Sequence, residues 1–298
     1  MSLPKLPTLS ECRSSIVSNW SSIVRACNLS RSSRARALGA LPKLPKLLGS
    51  STKVELGRAL GVLSSVIYMS PDRELFGARD GRSSCPNSTS ECVATCLGKH
   101  SGRMIMRPNE RARVWKTALF FGARPLWREL FILEALSLKR RADRLGMLPA
   151  IRADGATDLG EGQRLSSELE SLGIQAWDYT KSIARVRALG APRSELGAYS
   201  LTFSYSGSNA LEAREALELG FSVAVVFRQG KGEELPKSVG SGLFGRVYPV
   251  VDGDETDCRF YDRSELGAPS SGGYIVGLRF KSSRSREEML ERAPTFVV

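Results

Sequence analysis

Three of the six cysteines fall in one short stretch, Cys85-Pro-Asn-Ser-Thr-Ser-Glu-Cys92-Val-Ala-Thr-Cys96, and the only histidine, His100, follows it closely. Thiols so close in sequence point to a shared ligand, and sulfur donors select zinc or iron–sulfur clusters. Two chemistries follow. All four residues together would close a tetrahedral zinc site with three thiolates and one imidazole. The three cysteines alone would hold three corners of a [4Fe–4S] cluster and leave one iron open to a small molecule. The plain alternative is a loop of ordinary thiols at a helix edge.

Other residues of chemical type also stand in short runs. Asp154 and Asp158 flank a turn, and Asp178-Tyr179-Thr180-Lys181 form a second group. Asp154, Asp158, Asp178, Tyr179 and Lys181 are the candidate catalytic residues, because they offer proton donors, acceptors and a cation for a polar substrate. Asp252-Gly-Asp254-Glu-Thr-Asp257 is a dense acidic run. Asp252 and Asp254 are therefore candidate cofactor-binding residues, through a cation or a hydroxyl-bearing ligand. Each group has a structural alternative: the aspartates can organise turns, and Asn209 can serve as an N-cap. The acidic run lacks the spaced oxygens and closing Glu of a calcium loop. A phosphate-binding Gly-Lys-Ser/Thr loop and a Ser/His/Asp constellation are both missing.

The elements that must position these residues alternate between strand and helix. Val62 to Met69 predicts a first strand, and the cysteine loop follows it. Helices are expected over 110–121 and 125–145, the second stopped by Gly146. Strands over 148–152, 174–179, 199–204 and 221–227 then alternate with helices over 161–172, 182–189 and 209–219. Further strands are expected at 246–251, 258–261 and 273–280. Such alternation implies right-handed βαβ units around a parallel sheet. The fold class is α/β, read as a complete or partial β/α (TIM-like) barrel over residues 51–298. An open doubly wound sheet is the alternative, without the usual G-x-G-x-x-G loop. In a barrel the residues ending each strand share one rim with the cysteine loop.

The 298 residues carry a formal net charge of +12, with 42% hydrophobic and 25% charged residues. That composition is globular. No apolar run is long enough to span a bilayer, and the N-terminus shows no secretory signal, so the expected setting is the cytoplasm of whichever cell makes the protein, with reduced thiols. Residues 1–50 read as a basic N-terminal extension, in which Lys5, Arg13, Arg25, Arg31, Arg34, Arg36, Lys43 and Lys46 face a single acid, Glu11. From Arg13 onward these cations are the candidate nucleic-acid contacts. Ile16, Trp20, Ile23 and Val24 predict a short amphipathic helix near 10–28, and Leu41 to Leu47 should be extended.

Several motifs in order resemble a family. They are Cys85-Pro86 with two further cysteines, Arg111-Ala-Arg-Val-Trp-Lys-Thr117, Arg152-Ala-Asp-Gly-Ala-Thr-Asp158, Asp178-Tyr-Thr-Lys181, Ala224-Val-Val-Phe227 and Val250-Val-Asp-Gly-Asp254. The series resembles the phage gene-product-88-like family over roughly residues 60–298, and the resemblance implies a viral origin. The layout is also similar to that of radical S-adenosylmethionine enzymes, which place three cysteines after the first strand of a partial β/α barrel. Their usual spacing is C-x3-C-x2-C, whereas this chain has C-x6-C-x3-C. That likeness implies a [4Fe–4S] cluster, S-adenosylmethionine as cofactor and radical modification of a small or macromolecular substrate. The alternatives are a nucleic-acid-binding viral protein with structural zinc, and a virion or host-interaction protein with an inert pocket.

Overall fold

Successive strand side chains point to opposite faces of a sheet, so each strand here sorts its residues between two environments. The computed structural model describes residues 7–77, 81–100, 102–192, 199–281 and 286–298. Its strands are β1 (Val62–Val66), β2 (Leu148–Arg152), β3 (Gln175–Thr180), β4 (Ser200–Ser204), β5 (Ser222–Phe227), β6 (Ser238–Val239), β7 (Tyr248–Asp252) and β8 (Tyr274–Arg279). They form one eight-stranded sheet in the order β1-β2-β3-β4-β5-β8-β7-β6. All neighbours are parallel except β6 and β7.

That order agrees with the expected parallel α/β sheet but departs from the sequential order of an eight-stranded β/α barrel. The chain leaves β5, makes the short β6–β7 hairpin at the far edge, and returns through β8 into the gap. β1 and β6 are the two ends of the order, and among the described residues no ladder joins them. The edge of β1 instead takes an antiparallel bridge between Val66 and Gly49.

The helices are α1 (Leu9–Ser18), α2 (Trp20–Ala26), α3 (Arg31–Leu38), α4 (Thr52–Glu55), α5 (Ser90–Ala94), α6 (Leu97–His100), α7 (Arg107–Gly122), α8 (Arg124–Leu145), α9 (Glu161–Arg164), α10 (Ser166–Ser171), α11 (Ile183–Leu189) and α12 (Ala210–Glu218). Short helices at Ser241–Phe244, Asp262–Glu265 and Arg286–Arg292 complete the set. Leu63, Ile151, Ala176, Phe203, Val223 and Ile275 face the helices and share one core with Trp115, Trp127 and Phe131. Val62, Ala150 and Trp177 face the other way, against Cys258 and Phe260. Ala224, Tyr274 and Val276 do the same beside Ala268. The segment after β7 thus folds back across the inner face of the sheet.

Residues 258–261, expected as a strand, are a 3-10 turn at Arg259–Tyr261 because they belong to this crossing segment. The helix expected over 161–172 breaks at Leu165 into α9 and α10. The helix near 10–28 is likewise divided at Asn19. Gly146 and Gly173 follow the ends of α8 and α10 with positive φ, as left-handed C-terminal stops require.

Residues 7–50 pack onto the α/β body instead of standing off it as a free arm. α1 packs on α8, and α2 and α3 pack on α7. Cys12, Ile16, Val24, Cys27, Ala37 and Leu47 are buried in the main core. Thr8 caps α1 with a reciprocal capping box to Glu11.

Candidate functional site

The cysteine loop runs along the rim where β1 to β4 end. Its first part is tied to the loop after β2: the Asp158 N–H donates to the Ser84 carbonyl at 2.9 Å, and Cys85 Sγ lies 3.6 Å from the Ala156 carbonyl. The Asp72 N–H points at the Cys85 sulfur from 3.3 Å. Its second part is tied to the loop after β4, where Thr89 donates its hydroxyl to the Ser206 carbonyl at 2.9 Å. The Thr89 hydroxyl in turn accepts from the Cys92 N–H and caps α5.

Between these anchors stands Lys181, just beyond β3. Its side chain lies in the field of Cys92, Asp158 and Cys85. Burial opposes its charge, but Cys92, Asp158 and Cys85 outweigh that and hold the ammonium above the usual lysine range. Burial pushes the Cys85 thiol up to about 12, against the Asp72 N–H and Lys181, with Cys96 and Cys92 adding to the rise. Cys96 is also raised, first by burial and then by Cys92. The three thiols are therefore electrostatic neighbours, with Cys85 and Cys92 also acting on Lys181. Among the described residues no three or more His, Cys, Asp or Glu side chains stand assembled as a metal-ligating group. The donor type, sulfur, is the one that iron–sulfur clusters and zinc select. The His100 N–H bonds the Cys96 carbonyl at 2.9 Å, so the histidine follows the loop as one turn of α6.

The aspartates near the rim form a second constellation, and it is bound to the scaffold. Asp154 accepts from the Thr157 hydroxyl at 2.6 Å, the Leu159 N–H at 3.2 Å and the Gly160 N–H at 2.7 Å. Asp158 accepts from the Thr180 hydroxyl, the Lys181 N–H and Arg185 at 2.8, 2.9 and 2.6 Å. Asp178 accepts from the Asp154 N–H at 2.8 Å and the Tyr199 hydroxyl at 3.1 Å. Arg185 also reaches the Tyr199 oxygen at 2.6 Å. Burial, followed by the charge of Asp154, pushes Asp178 up to about 7. These carboxylates lock the ends of β2 and β3 together. Arg185 is their counter-ion, and helix periodicity alone gives no sign of it.

Tyr179 is sent to the other face by strand alternation. Its ring lies under Arg152, 4.4 Å from the guanidinium carbon, and its hydroxyl has no hydrogen-bond partner in the protein. Arg152 is paired with Asp257 at 3.0 Å, and Lys53 lies 3.6 Å from the same carboxylate. Asp178 and Tyr179, adjacent in the chain, therefore do not share a pocket. The acidic run after β7 is also engaged. Asp252 pairs with Arg279 at 2.8 Å, and Asp254 with Lys281 at 2.5 Å and Lys53 at 3.8 Å. This group sits beyond β7 and β8, apart from the cysteines. Asn209 stands at the N-cap position of α12 without a side-chain cap bond; its amide instead braces the preceding loop, accepting from the Ser206 N–H and donating to the Ser204 carbonyl.

Of the basic N-terminal residues, Arg13 is bound to Glu134 at 2.9 Å and Arg36 to Glu110 at 3.1 Å. Arg34 donates to the Leu29 carbonyl at 3.3 Å. Arg25, Arg31, Lys43 and Lys46 are exposed. Among the described residues no helix is long and apolar enough to cross a membrane.

Fold and site together define an α/β protein with a largely parallel sheet and a thiol-lined rim. The model of one protein family, gene product 88, matches residues 43–288, and the chain belongs to that family. The likeness to phage gene-product-88-like proteins read from the motifs is thereby shown, with α1 to α3 outside the match. No curated protein and no solved structure matches the chain.

Proposed function

We propose that this protein is a phage-type modifying enzyme built on a partial, open β/α barrel, with an iron–sulfur cluster on Cys85, Cys92 and Cys96 and S-adenosylmethionine as its cofactor. The observation that carries the reading is that three half-buried thiols are electrostatic neighbours, two of them beside the Lys181 ammonium, at the end of the sheet where βα loops converge. A cluster with one iron left open by three cysteines supplies a cofactor-binding metal and an electron for radical chemistry. The chain's own residues do the positioning. Thr89 and the Asp72 N–H fix the cysteine loop, and Asp158 holds the main chain at Lys181. Lys181 keeps a proton beside Cys92 and offsets thiolate charge.

A second reading is a nucleic-acid-binding viral protein, with zinc on the three cysteines and His100. It is favoured by the exposed cations Arg25, Arg31, Lys43 and Lys46. The third, an inert virion or host-interaction protein, requires no metal at all. Metal and acid-labile sulfide analysis of protein purified without oxygen separates the three. Iron with sulfide supports the enzyme reading, and a cofactor-cleavage assay then tests the chemistry. One zinc per chain without iron moves the weight to nucleic-acid binding. Neither metal overturns both.

A further inference from the structure

At the opposite end of the sheet from the cysteines, a cavity of about 130 Å³ opens between the N-terminal ends of β4, β5 and β8 and the crossing segment. Strand register brings its hydroxyls into line. Tyr179 is level with Thr202, and Ser222 is level with Tyr274. Thr202 and Ser222 are hydrogen-bonded at 2.9 Å, and the Tyr274 hydroxyl donates to Asp262 at 3.3 Å.

Two guanidinium groups line this cavity, Arg259 and Arg263. Arg259 is 4% exposed. It donates to the Thr256 carbonyl and lies 3.4 Å from Asp262, but its Nε and Nη1 have no hydrogen-bond partner in the protein. Arg263 donates to the carbonyls of Pro269 and Gly272, and among the described residues it has no carboxylate partner. Asp262, on the crossing helix with the exposed Glu265, is the buried counter-charge nearest Arg259 there, and burial raises its pKa to about 6.

The balance of unpartnered groups has a sign. A small movement joins Arg259 Nη1 to Asp262, and another joins Lys53 to Asp257. Among the described residues of this face the atoms then left over are Arg259 Nε, Arg152 Nε, Trp177 Nε1 and the Tyr179 hydroxyl, all of which can donate. Buried donors and a surplus of positive charge are costly unless an acceptor completes them.

We propose that this cavity is a binding site for a small oxyanion, a phosphate or carboxylate group, gripped by Arg259 and Arg263 and oriented by the hydroxyls of Ser222 and Thr202. A planar guanidinium suits either anion through paired N–H donors. The site is independent of the cysteine rim and of any metal held there.

The test titrates the full chain with inorganic phosphate and, separately, with acetate, reading heat of binding and the midpoint of thermal unfolding. At least one anion should bind wild-type protein, and the anion that binds identifies the ligand class. Arg259→Gln should weaken it at least tenfold. Ser264→Glu, an exposed substitution at the mouth that spares the core, should weaken it similarly by repulsion. A Cys85/Cys92/Cys96→Ser variant should bind as wild type does. No binding of either anion overturns the proposal. So does binding that survives both Arg259→Gln and Ser264→Glu, or that is lost only when Arg25 and Arg31 are replaced by glutamate.

Discussion

Lys181 lies in the electrostatic field of Cys92, although the two lie on different βα loops, after β3 and β1. A buried lysine seeks negative charge, and thiolates supply it once a thiol is ionised or ligated. Cys92→Ala should therefore remove a donor and leave Lys181 with Asp158 as its main partner. On the enzyme reading, iron and sulfide content in Cys92→Ala falls to background, whereas Lys181→Gln retains both and loses cofactor cleavage. Wild-type iron in the cysteine variant would sink the assignment.

Asp178 gives a pH dependence with a defined sign. Its folded-state pKa is raised from 3.8 to about 7 by burial and by the charge of Asp154. Between those values the folded protein binds more protons at this site than the unfolded chain does. Its contribution to stability is therefore present at acidic pH and is lost as pH rises from about 4 through about 7. Urea unfolding across that range should show a shallower decline with pH in Asp178→Asn than in wild type.

Arg185 is the cation between Asp158 and the Asp178–Tyr199 pair, 14% exposed and bonded to both sides. Arg185→Met leaves Asp158 without its guanidinium partner and weakens the lock between β2 and β3. Removing one side of such a buried pair costs about 3–5 kcal/mol. Chemical denaturation should register that loss. A change below 1 kcal/mol would mean that the hydroxyls and main-chain N–H groups already suffice.

Gly122 ends α7 where α2 crosses it. A Cβ there would stand 2.8 Å from Cys27 Sγ and closer still to the Ile23 carbonyl. Gly122→Ala should force α2 outward and destabilise the protein by about 1–3 kcal/mol, as overpacking does. Deleting residues 1–50 should do more, exposing the surface that Ile16, Val24 and Leu47 cover. The expected product binds a hydrophobic dye and aggregates, and a soluble, cooperatively folding remainder would contradict the shared core.

The local elements were legible in the chain because local rules set them. A nearly continuous apolar run marked Phe221 to Phe227 as a strand, and glycines after α8 and α10 marked their ends. Cysteine spacing pointed to one loop, and the ordered motifs pointed to the gene product 88 family. Strand order was not legible, since whether β8 enters beside β5 or at an edge depends on non-local pairing. Nor were the partners of the aspartates. Asp154, Asp158 and Asp178 look alike as candidate catalysts in sequence, but tertiary packing supplies Thr157, Arg185 and Tyr199 and makes them struts.

The sequence by itself determined which residues alternate, which helices stop, and that three thiols belong to one stretch of chain. Only the tertiary structure decided that Lys181 stands among those thiols, that Tyr179 and Asp178 part to opposite faces, and that the segment after β7 carries Arg259 across the inner sheet. The physical reason is range. Backbone propensity acts over a few residues, whereas a buried charge takes its partner from whatever the fold brings within a few ångströms.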